Sequence, residues 1–178
     1  MIKIFPTDKV KELDQYTIQN EPISSIDLVE RASTVFVHEF CRRYSKQTRI
    51  IVFAGQGNNG ADALAIARLL KDECYRVETY LFNPTEHLSF DLNRPLTGGF
   101  AAMVKYINQS DATIVSIDIP SGLFGENNQT NDPDSIVRAS LTLTFGFPKL
   151  AFFFPENAQY VGEWKVLDIG IHPDIVDN

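Results

Sequence analysis

A chain of 178 residues, 44% apolar and 22% charged, has the composition of an ordinary globular protein and room for one sizeable core, expected as a single domain over residues 1–178. A net charge of −7 argues against a nucleic-acid partner and a basic membrane-binding face, and no apolar run reaches membrane-spanning length. Cys41 and Cys74 stand far apart, which makes neither a disulfide framework nor a metal set, and the start MIKIFPTDKVKELDQYT has no apolar leader stretch, so the expected location is cytoplasmic.

Val10, Leu13, Tyr16 and Thr17 fall at helical spacing over 8–19, after Pro6 and with Asp8 as a cap candidate. Beyond Pro22, Ser24 or Ser25 can cap a second helix, IDLVERASTVFVHEFCRRYS, whose Leu28, Ala32, Val35, Phe36 and Phe40 share one side. The run TRIIVFA (48–54) is apolar enough to predict a strand buried on both faces. A Gly-rich turn follows, then a helix from about Ala61 to Cys74 and a second strand at 76–82. A helix starting near Pro95 covers 97–108, and further strands are predicted at 112–119, 141–145 and 164–169. The polar run GENNQTNDPD (125–134) reads as a loop. Strands alternating with helices predict right-handed βαβ units. The expected class is α/β: a three-layer Rossmann-like sandwich, a mostly parallel sheet with helices on both faces, and two extra N-terminal helices.

The stretch GQGNNGADALAIARLL (55–70) spaces its glycines as G-x-G-x-x-G at a strand-to-helix turn. Gly55 and Gly57 permit torsions that a Cβ forbids, and the helix start offers unpaired N–H groups and the positive end of a dipole, suited to phosphate. The dinucleotide fingerprint also wants an acid at the far end of the second strand, to hold a ribose hydroxyl. That position reads Leu81, Phe82, Asn83, with Glu78 near the strand's beginning, which disfavours a dehydrogenase. Asn58, Asn59 and Asp62 ask for another account. Their oxygens could ligate a hard monovalent cation or bond sugar hydroxyls; equally, an asparagine could cap the helix with Asp62 in its first turn.

SIDIPSGLFG places Asp118, Pro120, Ser121 and Gly122 at the carboxyl end of the third predicted strand, where open α/β sheets bind their ligands. DIPSG could be a plain turn. A carboxylate closing an apolar strand nonetheless needs a partner. Asp118 and the Asn58–Asp62 loop are expected to face one crevice.

At these residues the chain resembles the NAD(P)H-hydrate epimerase family, the YjeF N-terminal domain. The family loop reads roughly G-P-G-N-N-G-G-D-G, against G-Q-G-N-N-G-A-D-A at Gly55–Ala63, and D-I-P-S-G stands unaltered at Asp118–Gly122. Weaker matches are LTFGFPKLAFF, GEWKVLDIGI and LVERAS, where the family has L-M-E-R-A-G. Members interconvert the R and S forms of hydrated NADH and NADPH, which carry a hydroxyl at C6 of the nicotinamide ring. The resemblance implies that Asn58, Asn59, Gly60, Ala61, Asp62, Asn93, Arg94 and Asp118 bind this substrate, and that Asn59 and Ser121 help hold a potassium ion. It implies a homodimer, and an ADP- or ATP-dependent dehydratase of the same hydrate as a C-terminal domain or separate partner. Epimerisation would lose the hydroxyl as water with help from a carboxyl acid, pass through a ring iminium cation and add water to the other face. Asp118 is the candidate catalytic residue. Lys149 of FPKL is either structural or a phosphate contact.

Two departures stand out. Ala61 and Ala63 replace family glycines, which is expected to matter little at a helix start. Between the second strand and the helix at 97, the family has a helix, a strand ending in an aspartate, and a G-x-G-L-x-R-P loop; that aspartate is a potassium ligand and candidate acid/base. This chain runs from FNPTEHLSFD straight to LNRPLTGGF, keeping only Leu92, Asn93, Arg94 and Pro95 of the loop. Removing an interior strand would cost more than a domain's marginal stability, so a further segment is expected between Asp91 and Leu92. Without it the chain would be expected to bind and not to epimerise. The rival reading is a non-catalytic nucleotide- or RNA-binding, dimerising module of the same fold, with RNA disfavoured by the charge.

Overall fold

A computed structural model describes residues 3–82 and 98–176, which leaves Asn93 and Arg94 outside the described residues. The chain divides into two compact units, residues 13–85 with 167–178 and residues 1–12 with 86–166.

In the first unit, α2 (Ser25–Arg43) is closed at its start by a reciprocal cap. Asp27 N–H donates to Ser24 Oγ at 3.2 Å, and Ser24 N–H donates to Asp27 Oδ2 at 2.9 Å. The Ser24 hydroxyl, which also donates to Asp27 Oδ2 at 2.7 Å, and then the Ser24 N–H hold the Asp27 carboxyl below its ordinary range. Leu28, Ala32, Phe36, Val37 and Phe40 are buried on one side of α2, which packs on α3 (Asn58–Asp72). Helix α3 in turn lays Ala63, Ile66, Ala67 and Leu70 into the core and rests on β1 (Arg49–Ala54) and β2 (Arg76–Leu81), a parallel pair. Leu13 and Thr17 of α1 (Thr7–Asn20) are also buried, and Thr17 Oγ1 accepts from the N–H of His172 just before α6 (Pro173–Val176).

The sequence predicts β1 buried on both faces; among the described residues only one face is covered. Ile50, Val52 and Ala54 are buried, whereas Ile51 is 46% exposed and Tyr80 on β2 is 54% exposed. The parallel register sets Ile51 beside Glu78 and Phe53 beside Tyr80. An Arg49–Glu78 ion pair and a Phe53–Tyr80 ring stack at 5.7 Å lie on this open side.

In the second unit, β3 (Val115–Ile117) pairs in parallel with β4 (Leu141–Phe145), and β5 (Glu163–Leu167) lies along β4's other edge. The LTLTF of β4 is buried along almost its whole length, so its threonines need partners inside: Thr142 Oγ1 donates to Val161 O at 2.7 Å. Around it Leu123, Ile136, Ala151, Phe152, Tyr160 and Val161 form a core cluster, the last two from α5 (Ala158–Val161). Helix α4 (Gly98–Asn108) packs on a 3₁₀ turn at Pro133–Ser135, and the Asn108 side chain ties the following strand entry by bonding both Ile136 O and Arg138 N. Strand β3 is shorter than the expected 112–119: it begins only at Val115, and it ends at Ile117 because Asp118 turns the chain at φ 63°. The alternation of helices with parallel strands is the Rossmann-like α/β class expected from the sequence.

Candidate functional site

The glycine loop belongs to the first unit. Gly57 precedes α3 at φ 99°, a left-handed torsion that suits glycine, and the helix begins at Asn58, three residues earlier than its apolar pattern suggests. Asn58 and Asn59 therefore sit in the first helical turn, and no side chain caps this helix end. Both are exposed, and neither amide bonds to another described residue. The capping explanation for these asparagines fails. Their oxygens are neutral, hard acceptors turned outward beside backbone N–H groups that have no intrahelical partner.

Gly60 shows how tightly this end of the helix is built, since it is buried against the backbone of Gly55. That is the close helix–strand approach for which a phosphate-binding turn needs glycine. Asp62 is buried one position beyond Ala61. Ala61 and Ala63 are ordinary helical residues without a positive φ, so the two missing glycines cost no backbone strain.

The DIPSG turn belongs to the second unit. Asp118, at the carboxyl end of β3, holds φ at 63°, uncommon for a residue with a side chain and worth roughly 1–2 kcal/mol of strain. The turn is pinned on all sides. Asp118 N–H donates to Leu143 O, Val137 N–H to Ser121 O, and the Asn131 side chain to Gly122 O at 2.8 Å. At Gly122, φ 90°, a Cβ would lie 2.3 Å from Ser135 O, so only glycine fits. The torsion sends the Asp118 carboxylate across to β4. There its Oδ1 accepts from Thr144 Oγ1 at 3.0 Å, Phe145 N–H at 2.9 Å and Lys149 Nζ at 2.5 Å. Its Oδ2 accepts from no described residue. One oxygen is fully held and the other has no partner among the described residues.

Ser121 shares this turn and is exposed. The structure thus gathers Asn58–Asp62 at one helix start and Asp118 with Ser121 in one turn, while Asn93 and Arg94 fall outside the described residues. Sequence reasoning missed Thr144 and the Phe145 N–H as partners of Asp118. A signal existed: a threonine at an inward position of an apolar strand must bond something.

The family described as "YjeF-related protein N-terminus" matches residues 25–91 and 88–151, together well over half of the chain. The chain belongs to that family. The NAD(P)H-hydrate epimerase of Limosilactobacillus fermentum is 29% identical over 197 aligned positions, covering 90% of this chain and 93% of the relative. That of Lentilactobacillus buchneri is 28% identical over 209 positions, covering 97% and 96%. Among solved structures, the yeast protein YNL200c superposes with a TM-score of 0.72, 18% identity, and coverage of 93% of this chain and 87% of that one, which supports the shared fold. The YjeF match comes in two stretches that meet at residues 88–91, just beyond β2. Both alignments are longer than the 178 residues of this chain, so these relatives carry residues with no counterpart in it.

Proposed function

We propose that this protein epimerises hydrated NADH and NADPH, as the names of its relatives describe for them. The observation that carries the reading is Asp118: a carboxylate on a backbone of positive φ at the carboxyl end of a parallel strand, in an unaltered D-I-P-S-G, with one oxygen locked and one open. In this reading Asn58, Asn59, Gly60, Ala61 and Asp62, with Asn93 and Arg94, hold the dinucleotide, and Asp118 bonds it through Oδ2. The test is to mix hydrated NADH epimers with the protein in potassium buffer and follow their equilibration by chromatography. Acceleration over the spontaneous rate is expected; its absence removes the enzyme reading.

A potassium ion fits the donors present in kind. Asn59 and Ser121 offer exposed, neutral, hard oxygens with no side-chain partner among the described residues. Two such oxygens are fewer than the roughly six that a hard cation gathers. When bound, potassium would supply a fixed positive charge beside whichever of these oxygens holds it. Replacing potassium by a bulky organic cation in the same assay is expected to lower the rate. The reading also includes a homodimer and a dehydratase that consumes the hydrate, both open to co-purification with size-exclusion measurement.

A second reading is favoured by one observation, the break in the family match at 88–91 together with the longer relatives. The strand and aspartate that the resemblance leads one to expect would fall there. On that reading the chain binds the nucleotide and does not turn it over. Binding of NADPH without accelerated epimerisation would select it.

A further inference from the structure

We infer that Lys149 is a positioning residue which, with Thr144, fixes the carboxylate of Asp118 so that Oδ2 alone meets the hydroxyl of a bound ligand. For the identity of that ligand, a hydrated or intact nicotinamide dinucleotide, the inference rests on the function proposed above.

The argument is one of donor and acceptor capacity. The Lys149 ammonium has three N–H donors. Three acceptors surround it: Asp118 Oδ1 at 2.5 Å, Thr144 Oγ1 at 3.0 Å and Phe147 O at 3.3 Å. The lysine is buried, with 8% of its surface exposed. No donor is left to reach a phosphate, so the phosphate-contact role considered for Lys149 drops out. The hydroxyl of Thr144 accepts from the ammonium and donates its one proton to Asp118 Oδ1 at 3.0 Å, nearer than Phe147 O at 3.4 Å. Together with the Phe145 N–H, these groups give Oδ1 three donors that converge from β4 and the turn after it.

An oxygen so surrounded cannot take a fourth partner. The torsion at Asp118 and the convergent donors hold the plane of the carboxylate, and Oδ2 is the only oxygen of the side chain open to a new hydrogen bond. A buried ammonium is costly unless its carboxylate is in place, so each group holds the other. Removing the cation frees the carboxylate to rotate, and the ligand then meets an acceptor that it must order for itself.

The test is a double-mutant cycle on NADPH binding, followed by the cofactor's fluorescence, with circular dichroism confirming folded protein. Lys149→Met is expected to weaken binding roughly 10- to 100-fold, the scale of a charge-assisted hydrogen bond. In an Asp118→Asn background the same change should add less than about twofold, because Lys149 acts only through Asp118. A lysine that merely supports the fold would weaken binding equally in both backgrounds, and that result overturns the proposal. If Lys149→Met does not fold, Thr144→Val takes its place in the cycle, with an expected loss of about 3- to 10-fold confined to the Asp118 background. Binding of NADPH does not require turnover. Failure of the epimerase reading therefore shows in the chromatographic assay and failure of the clamp shows in the cycle.

Discussion

Gly60 and Gly55 approach more closely than any side chain permits: a Cβ on Gly60 would stand 1.9 Å from the carbonyl oxygen of Gly55 and 2.8 Å from its carbon. Both obstacles are backbone atoms of the turn that leaves β1, so nothing flexible can swing aside. Gly60→Ala must push the start of α3 off that turn. The expected cost is about 1–3 kcal/mol in urea unfolding, with loss of NADPH binding. Ala61→Gly is the control. It stands next door on the exposed side of the same helical turn and should cost only about 0.5–1 kcal/mol in the same unfolding measurement. Equal effects at the two positions would mean that the close approach is not what the glycine serves.

The one-sided burial of β1 makes a second prediction. Ile50 and Ile51 are chain neighbours of the same residue type, yet Ile50 is 8% exposed and Ile51 46% exposed. Ile50→Ala removes methyls from the core under α3 and should cost about 2–5 kcal/mol. Ile51→Ala should stay within about 0.5–1 kcal/mol, as surface changes do. Matched chemical denaturation of the two variants checks this. If Ile51→Ala proved as costly as Ile50→Ala, a second layer would have to cover that face in solution.

These cases mark what a sequence can and cannot reveal. The capping of α2 is local: Ser24 and Asp27 lie three residues apart, and their side chains close the helix whatever surrounds them. The span of β4 was equally legible, because LTLTF is bounded by turn residues on both sides. The start of α3 was not, since asparagines are good caps and only the torsion at Gly57 puts them inside the helix instead. An apolar run such as RIIVFA says that a strand will be buried, but not on how many faces. The partnership of Asp118 with Lys149 spans 31 residues and depends on the β3–β4 register, which sets Ile117 beside Leu143. No spacing in the chain encodes that. The D-I-P-S-G motif marked where to look, and the parallel pairing decided what the carboxylate touches.

Ser33 offers a prediction of the opposite sign. It lies on the buried side of α2, 0% exposed, and its hydroxyl finds no partner among the described residues. A buried hydroxyl without a hydrogen bond carries a desolvation cost of about 1–3 kcal/mol. Ser33→Ala removes that group and improves helix propensity, so it should raise the melting temperature or leave it unchanged. A clear drop in stability would show that Ser33 Oγ is bonded in solution, by water or otherwise.

Tyr75 supplies the pH dependence. Its ring is buried, and its hydroxyl donates to Tyr44 O at 2.6 Å. Burial first, then the neighbouring Cys41 and Glu73, push the phenol up from 10.0 to about 12. The raised value means that the fold favours the neutral phenol. The contribution is complete below pH 10, where folded and unfolded chains both keep the proton. Above that the unfolded chain ionises first, and stability falls as pH rises from 10 toward 12. Tyr75→Phe loses the hydrogen bond to Tyr44 O and should cost about 1 kcal/mol near neutrality. It also deletes the titrating group, so its deficit relative to wild type should shrink steadily above pH 10. Urea unfolding of both proteins at pH 8, 10 and 11 measures this. Parallel stability curves across that range would mean that the phenol ionises as readily in the folded chain as in the unfolded one.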